Sequence, residues 1–100
     1  MSKTAGLAKT NHPYIMKSPD ICSGSPFLTG TRTRVIDIIL EYTMLGKSPD
    51  EIVDSHPYLN LAKVNDALSY YYENREDMDT EILERIKDIE DLKSRFKSKL

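Results

Sequence analysis

The stretch Val35–Glu51, VIDIILEYTMLGKSPDE, decides how the chain folds. Val35, Ile38, Ile39, Tyr42 and Leu45 recur at steps of three, one, three and three, which is the spacing of one helical face. Ile36 and Leu40 widen the apolar surface to a second side, so the spacing predicts a central helix with more than one neighbour. Thr33 is its expected N-cap. Gly46 is its expected stop, because glycine enters the left-handed conformation at which helices end. Ser48, Pro49 and Glu51 then form a capping box with proline in the first turn, which opens a second helix at once.

That second helix is short, with Ile52 and Val53 inward, because Pro57 in SHPYL blocks its continuation. Asn60 is the expected cap of a third helix, along which Leu61, Val64, Leu68 and Tyr71 align, running to about Asn74. A helix, a glycine turn, a short capped helix and a longer helix describe a helix-turn-helix unit. The same geometry also occurs in scaffolds that touch no nucleic acid. If the third helix enters a major groove, it presents Ala62, Lys63, Asn65, Asp66, Ser69 and Tyr70. Lys63 suits phosphate or guanine and Asn65 suits adenine, whereas Asp66 opposes the contact.

Toward the N-terminus, YIMKSPD (Tyr14–Asp20) and FLTGTRT (Phe27–Thr33) read as two short extended segments around a turn at Gly24. Together they predict a β-hairpin arm, too short to stand alone and expected to lean on the helices or on a second copy of the chain. Residues 1–12 are polar and aperiodic, and are expected to be mobile. Toward the C-terminus, residues 80–100 place Ile82, Ile86, Ile89, Phe96 and Leu100 at alternating steps of four and three, with Lys93 in the one polar slot. Such a heptad-like seam wants a partner. Acids fill the first half of this segment, and Lys93, Arg95, Lys97 and Lys99 its end, which accords with the helix dipole.

At 100 residues the chain fits one small domain that buries roughly two-thirds of its unfolded surface, which leaves little room for a catalytic cleft. The formal charge of −2 carries no whole-chain signal for nucleic acid or membrane, so any basic surface is local. No apolar run is long enough to span a bilayer and the N-terminus lacks the middle of a signal peptide, so a cytoplasmic protein is expected. Cys22 is the only cysteine and is read as a small buried apolar residue. His12 and His56 show no metal-ligand spacing, and no phosphate-cradling glycine loop is present. No catalytic residue, metal or cofactor is therefore assigned, and the chain is read as a non-enzyme.

The order of motifs resembles a bacterial family catalogued as domain of unknown function 433, over residues 12 to about 79. The residues that carry the resemblance are Gly24-Ser25-Pro26, Gly30-Thr31-Arg32, Gly46, Ser48–Ile52, His56–Leu59 and Ala67–Tyr71. The resemblance implies a mainly α, homeodomain-like or winged-helix-like domain, dimeric and of the antitoxin type. By the same resemblance, such a protein binds the promoter of its own operon and masks a PIN-like ribonuclease toxin, the C-terminal tail wrapping the toxin. The expectation is a hairpin arm with a helix-turn-helix domain over residues 13–79, followed by a C-terminal helix over 80–100. Arg32, Arg34, Lys47, Asn60, Lys63 and Asn65 are the candidate DNA contacts, and Ile82, Ile86, Ile89 and Phe96 the candidate partner contacts. Arg32 has two readings: an internal tie to helix carbonyls or to Asp37 or Asp50, and a phosphate contact. Arg34 is expected to reach outward. The contrary reading is a dimeric protein-interaction adaptor that binds no DNA.

Overall fold

The computed structural model describes residues 8–9 and 11–99, with side-chain surroundings over 11–95. Three short antiparallel strands, β1 (Ala8–Lys9), β2 (Ile15–Lys17) and β3 (Phe27–Leu28), form a sheet in the order β1-β2-β3. Four helices follow: α1 (Val35–Thr43), α2 (Pro49–Ser55), α3 (Leu61–Glu73) and α4 (Arg75–Lys99). The chain is thus mainly helical, a helix-turn-helix unit with a small N-terminal hairpin and a C-terminal helical extension.

The expected hairpin is β2 and β3, with Ile15 opposite Leu28 and Met16 opposite Phe27. It is shorter than the extended segments foreseen, because Leu28 N–H already bonds the Thr33 carbonyl at 2.8 Å and turns the chain toward α1. Between the strands, Cys22, Ser23 and Gly24 take φ of 53°, 55° and 83° in succession. Gly24 lets the turn close where a Cβ would add a third strained residue. Cys22 is partly exposed rather than buried, and its thiol donates to the Arg32 carbonyl at 3.4 Å.

One expectation concerning the N-terminus is corrected. Of the segment expected to be mobile, residues 1–7 and 10 lie outside the described residues, but Ala8 and Lys9 pair with Lys17 and Met16. His12 is buried at 7% exposure. Polar composition misled there because a buried partner, rather than an apolar face, holds the segment.

The core forms where the helices meet. Val35, Ile36, Ile38 and Ile39 are all buried, so α1 is the central helix that its two-sided apolar pattern predicts. It packs against α2, α3 and α4. Ile15 and Leu28 of the hairpin join the same cluster with Ile52, Val64, Leu68 and Met78. The N-cap of α1 is Arg34, not Thr33: the Asp37 carboxylate accepts from the Arg34 backbone N–H at 3.1 Å and closes the first turn from the other side. Gly46 has φ of +67°, as the stop after α1 requires.

The capping box of α2 is present in both directions. Ser48 Oγ accepts from Glu51 N–H at 3.2 Å, and Glu51 Oε1 accepts from Ser48 N–H at 2.9 Å. Asn60 caps α3 by accepting from Lys63 N–H at 2.9 Å. Along α3 the buried set is Val64, Ala67, Leu68, Tyr70 and Tyr71, while Leu61 is 43% exposed. Leu61 is in phase with the core but stands in the first turn, beyond the helices that would cover it.

Asn74 alone separates α3 from α4. The expected boundary after residue 79 therefore falls inside α4, and Met78, 1% exposed, belongs to the core. Ile82 packs against that core as well. Beyond it the helix runs on to Lys99, a length of about 26 Å at 1.5 Å per residue.

Candidate nucleic-acid interface

The outer side of α3 is what a groove would meet. With Val64, Ala67 and Leu68 turned inward, Ala62, Asn65, Ser69 and Tyr72 form an exposed stripe at steps of three, four and three. Lys63 is half-buried beside it and makes no ion pair among the described residues. Asn60 is exposed at the start of the helix, but its Oδ1 is occupied by the cap. Tyr70 does not belong to this surface: it is 7% exposed, and burial with the nearby Asp77 and Glu81 charges raises its phenol pKa. Of the three consecutive tyrosines only Tyr72, 54% exposed, offers a ring to a ligand.

The remaining basic candidates separate into one that is exposed on the arm and those that the fold ties down. Arg32 is exposed, next to Thr33, whose hydroxyl lies 2.6 Å from the phenol of Tyr58 in the α2–α3 turn. That bond joins the end of the arm to the start of α3. Arg32 also borders a shallow, mainly apolar cleft of about 480 Å³ between Met16, Ile21 and Phe27. The internal tie foreseen for Arg32 belongs instead to Arg34. Its Nη2 and Nε donate to Asp37 Oδ1 and Oδ2 at 3.1 and 3.3 Å. Arg34 lines a different cleft, with Glu81, Glu84, Arg85 and Asp88 of α4. The two arginines thus exchange their expected roles, because Asp37 sits three residues after Arg34 on the same helical turn.

Lys47 is held too. Its Nζ donates to Glu41 Oε1 at 3.2 Å and to Ser55 Oγ at 2.9 Å. Glu41 bonds His56 Nε2 through its other oxygen, and His56 Nδ1 lies 3.2 Å from the Tyr58 hydroxyl. A continuous polar chain therefore runs from Lys47 through Glu41, His56 and Tyr58 to Thr33, fixing the helix turns relative to the arm. His56 is a junction here rather than a loop residue serving backbone groups. Neither Tyr58 nor Thr33 carries a sequence signal for this role, since their partners lie 25 residues apart.

Asp66, the carboxylate that opposed DNA contact in the sequence, is not free. Its Oδ1 accepts from His12 Nδ1 at 2.8 Å and its Oδ2 from the Tyr14 backbone N–H at 2.8 Å. The second ring nitrogen of His12 bonds Glu73 Oε1 at 2.8 Å. Burial alone pulls the His12 pKa down, but the bonds and charges of Asp66 and Glu73 outweigh it and hold the pKa above the ordinary 6.5.

The partner seam is divided. Ile82 packs inward and Ile86 is half-buried, whereas Ile89 is 40% exposed. The side chain of Phe96 and all of Leu100 lie outside what the structure describes. Leu83 and Leu92, exposed at 67% and 55%, add apolar surface that the seam did not include. Among the described residues no group of three His, Cys, Asp or Glu side chains is placed to hold a metal ion, and no helix is long and apolar enough to cross a membrane.

The sequence pattern of the family described as "Protein of unknown function (DUF433)" matches residues 15–71. The chain belongs to the DUF433 family. The crystal structure of a DUF433 member protein from Anabaena variabilis ATCC 29413 is similar to it, with a TM-score of 0.63 and 28% sequence identity over 70% of this chain and 68% of that one. No curated protein matches the chain. The match to DUF433 covers the hairpin and the three-helix unit and leaves α4 outside it.

Proposed function

We propose that this DUF433 chain is an antitoxin-like, non-enzymatic DNA-binding protein, dimeric and cytoplasmic. It represses its own promoter and binds a PIN-like ribonuclease toxin. One observation carries the DNA half of this reading. The capped helix α3 leaves Asn65 exposed with Lys63 half-exposed beside it, and Arg32 is exposed at the end of the arm, next to Thr33, which bonds Tyr58 in the turn before that helix. Asn65 supplies the amide fork that pairs with adenine, and Lys63 and Arg32 supply phosphate contacts. With so few free cations, the electrostatic share is small for a DNA-binding protein. With Lys63 and Arg32 as the phosphate contacts, the plot of log affinity against log salt is expected to have a slope of about −2 per protomer.

The partner half rests on the family resemblance and on the apolar side of α4 where Ile89 and Leu92 are exposed. The same surface favours the second reading, an adaptor that captures a protein and binds no DNA.

A gel shift with DNA from the chain's own promoter separates the two. Under the DNA reading, Lys63→Ala and Arg32→Ala weaken all sequences alike, while Asn65→Ala costs about 1–3 kcal/mol and relaxes preference at one base position. No shift at low salt would leave the adaptor alone standing.

A further inference from the structure

Asp66 follows Asn65 directly on α3, where an uncompensated carboxylate would repel DNA phosphates. Glu73 lies about two turns further along. Both are bridged by one imidazole: the His12 side chain, 8% exposed, meets Asp66 and Glu73 through its two nitrogens at 2.8 Å each. Ionised carboxylates only accept hydrogen bonds, and a neutral imidazole carries one N–H. A neutral ring would set its bare nitrogen against carboxylate lone pairs at one end. The geometry is therefore that of an imidazolium with both nitrogens donating. Among the described residues, titratable groups that face the ring are Asp66, Glu73 and Tyr70, all on α3, with the Tyr70 ring edge-on at 5.5 Å. From the segment that carries His12, Tyr14 adds its backbone N–H to Asp66.

We infer that His12 is the built-in counter-ion of the recognition helix: it docks the N-terminal segment on α3 and withdraws the Asp66 charge from the DNA-facing side. This deepens, and rests on, the DNA-binding reading above. His12 acts through Asp66, so it is a positioning residue and touches no base. As pH rises through the raised His12 pKa, one nitrogen loses its proton, the bridge to two carboxylates fails and the Asp66 charge beside Asn65 is left without its counter-ion. DNA affinity then falls. The fall is centred above pH 6.5, because the bonds and charges of Asp66 and Glu73 hold the His12 pKa above that ordinary value.

The test combines promoter binding at fixed salt with imidazole NMR. In the unmodified protein the affinity is expected to weaken about three- to tenfold between about pH 6 and pH 8.5, the effect of one added charge near the phosphates. His12→Gln is expected to bind weakly at both values, and Asp66→Asn in the same chain to restore tight binding at both. Because removing the second member of the bridge also relieves a buried unpaired carboxylate, the unfolding midpoints of all three proteins are measured alongside, and an affinity that merely follows stability overturns the proposal. Equal pH dependence in the unmodified protein and in His12→Gln, or no rescue by Asp66→Asn, overturns the proposal while promoter binding itself stands. Absence of promoter binding at every pH removes the DNA reading and this proposal with it, and the NMR titration of His12, expected above 6.5 and lowered by Asp66→Asn, shows that case to be distinct.

Discussion

Helices α3 and α4 are separated by Asn74 alone, and both carry apolar residues at helical spacing, yet the fold treats them differently. Along α3 the inner side meets α1 and α2, and a polar flank is covered by the arm through Asp66 and Glu73. Along α4 Met78 is buried, Ile82 packs on the core and Ile86 is half-buried, while Leu83, Ile89 and Leu92 are exposed. Periodicity states that a helix has an apolar face. What that face meets depends on the rest of the chain, and here α3 has two neighbours before α4 begins. The contrast is sharpest at Met78, the point at which α4 still belongs to the core. Replacing it with alanine is expected to cost about 2–5 kcal/mol in denaturant unfolding, the range for emptying a fully buried site. A cost no greater than that of a surface substitution would mean that α4 is peripheral from its first residue.

The polar flank of α3 gives the next effect. Because the His12 pKa is raised in the folded chain, its contribution to stability is complete below 6.5 and is lost as pH rises through the folded value. The stability of the unmodified protein is therefore expected to fall as pH rises above 6.5, and His12→Gln to remove this part of the pH dependence. A smaller effect follows at the start of the same helix. Asn60→Ala leaves Lys63 N–H without its cap and is expected to cost about 1 kcal/mol.

How much of this was legible follows from the range of each interaction. The Ser48–Glu51 box, the Asn60 cap and the stop at Gly46 join residues within one turn, and each is where local chemistry places it. The central position of α1 was legible too, since Ile36 widens the face on the helix itself. His12 with Asp66, 54 residues apart, left no trace in spacing or composition, so the N-terminal segment read as mobile. The exchange between Arg32 and Arg34 was missed for a subtler reason. Asp37 was named as a partner, but the start of the helix turns the second arginine toward it rather than the first. Asn65 on α3 and Arg32 on the arm are exposed and Lys63 is half-exposed, while Lys47 and Arg34 are engaged by Glu41 and Asp37. Free cations are not distinguishable from paired ones in a sequence whose acids and bases alternate.

The smallest effect is expected at the other end of the comparison, and its smallness is informative. Ile89 is 40% exposed, so Ile89→Asp removes little buried surface and should change the stability of an isolated chain by no more than about 0.5 kcal/mol. If the exposed half of α4 closes against a second copy, stability depends on protein concentration, because association adds to folding by mass action. The unfolding midpoint of the unmodified protein would then rise with concentration, and that of Ile89→Asp would not. If both midpoints are indifferent to concentration, the exposed half of α4 is reserved for a different chain. In that event α3 is finished within its own fold and α4 is completed only by a partner.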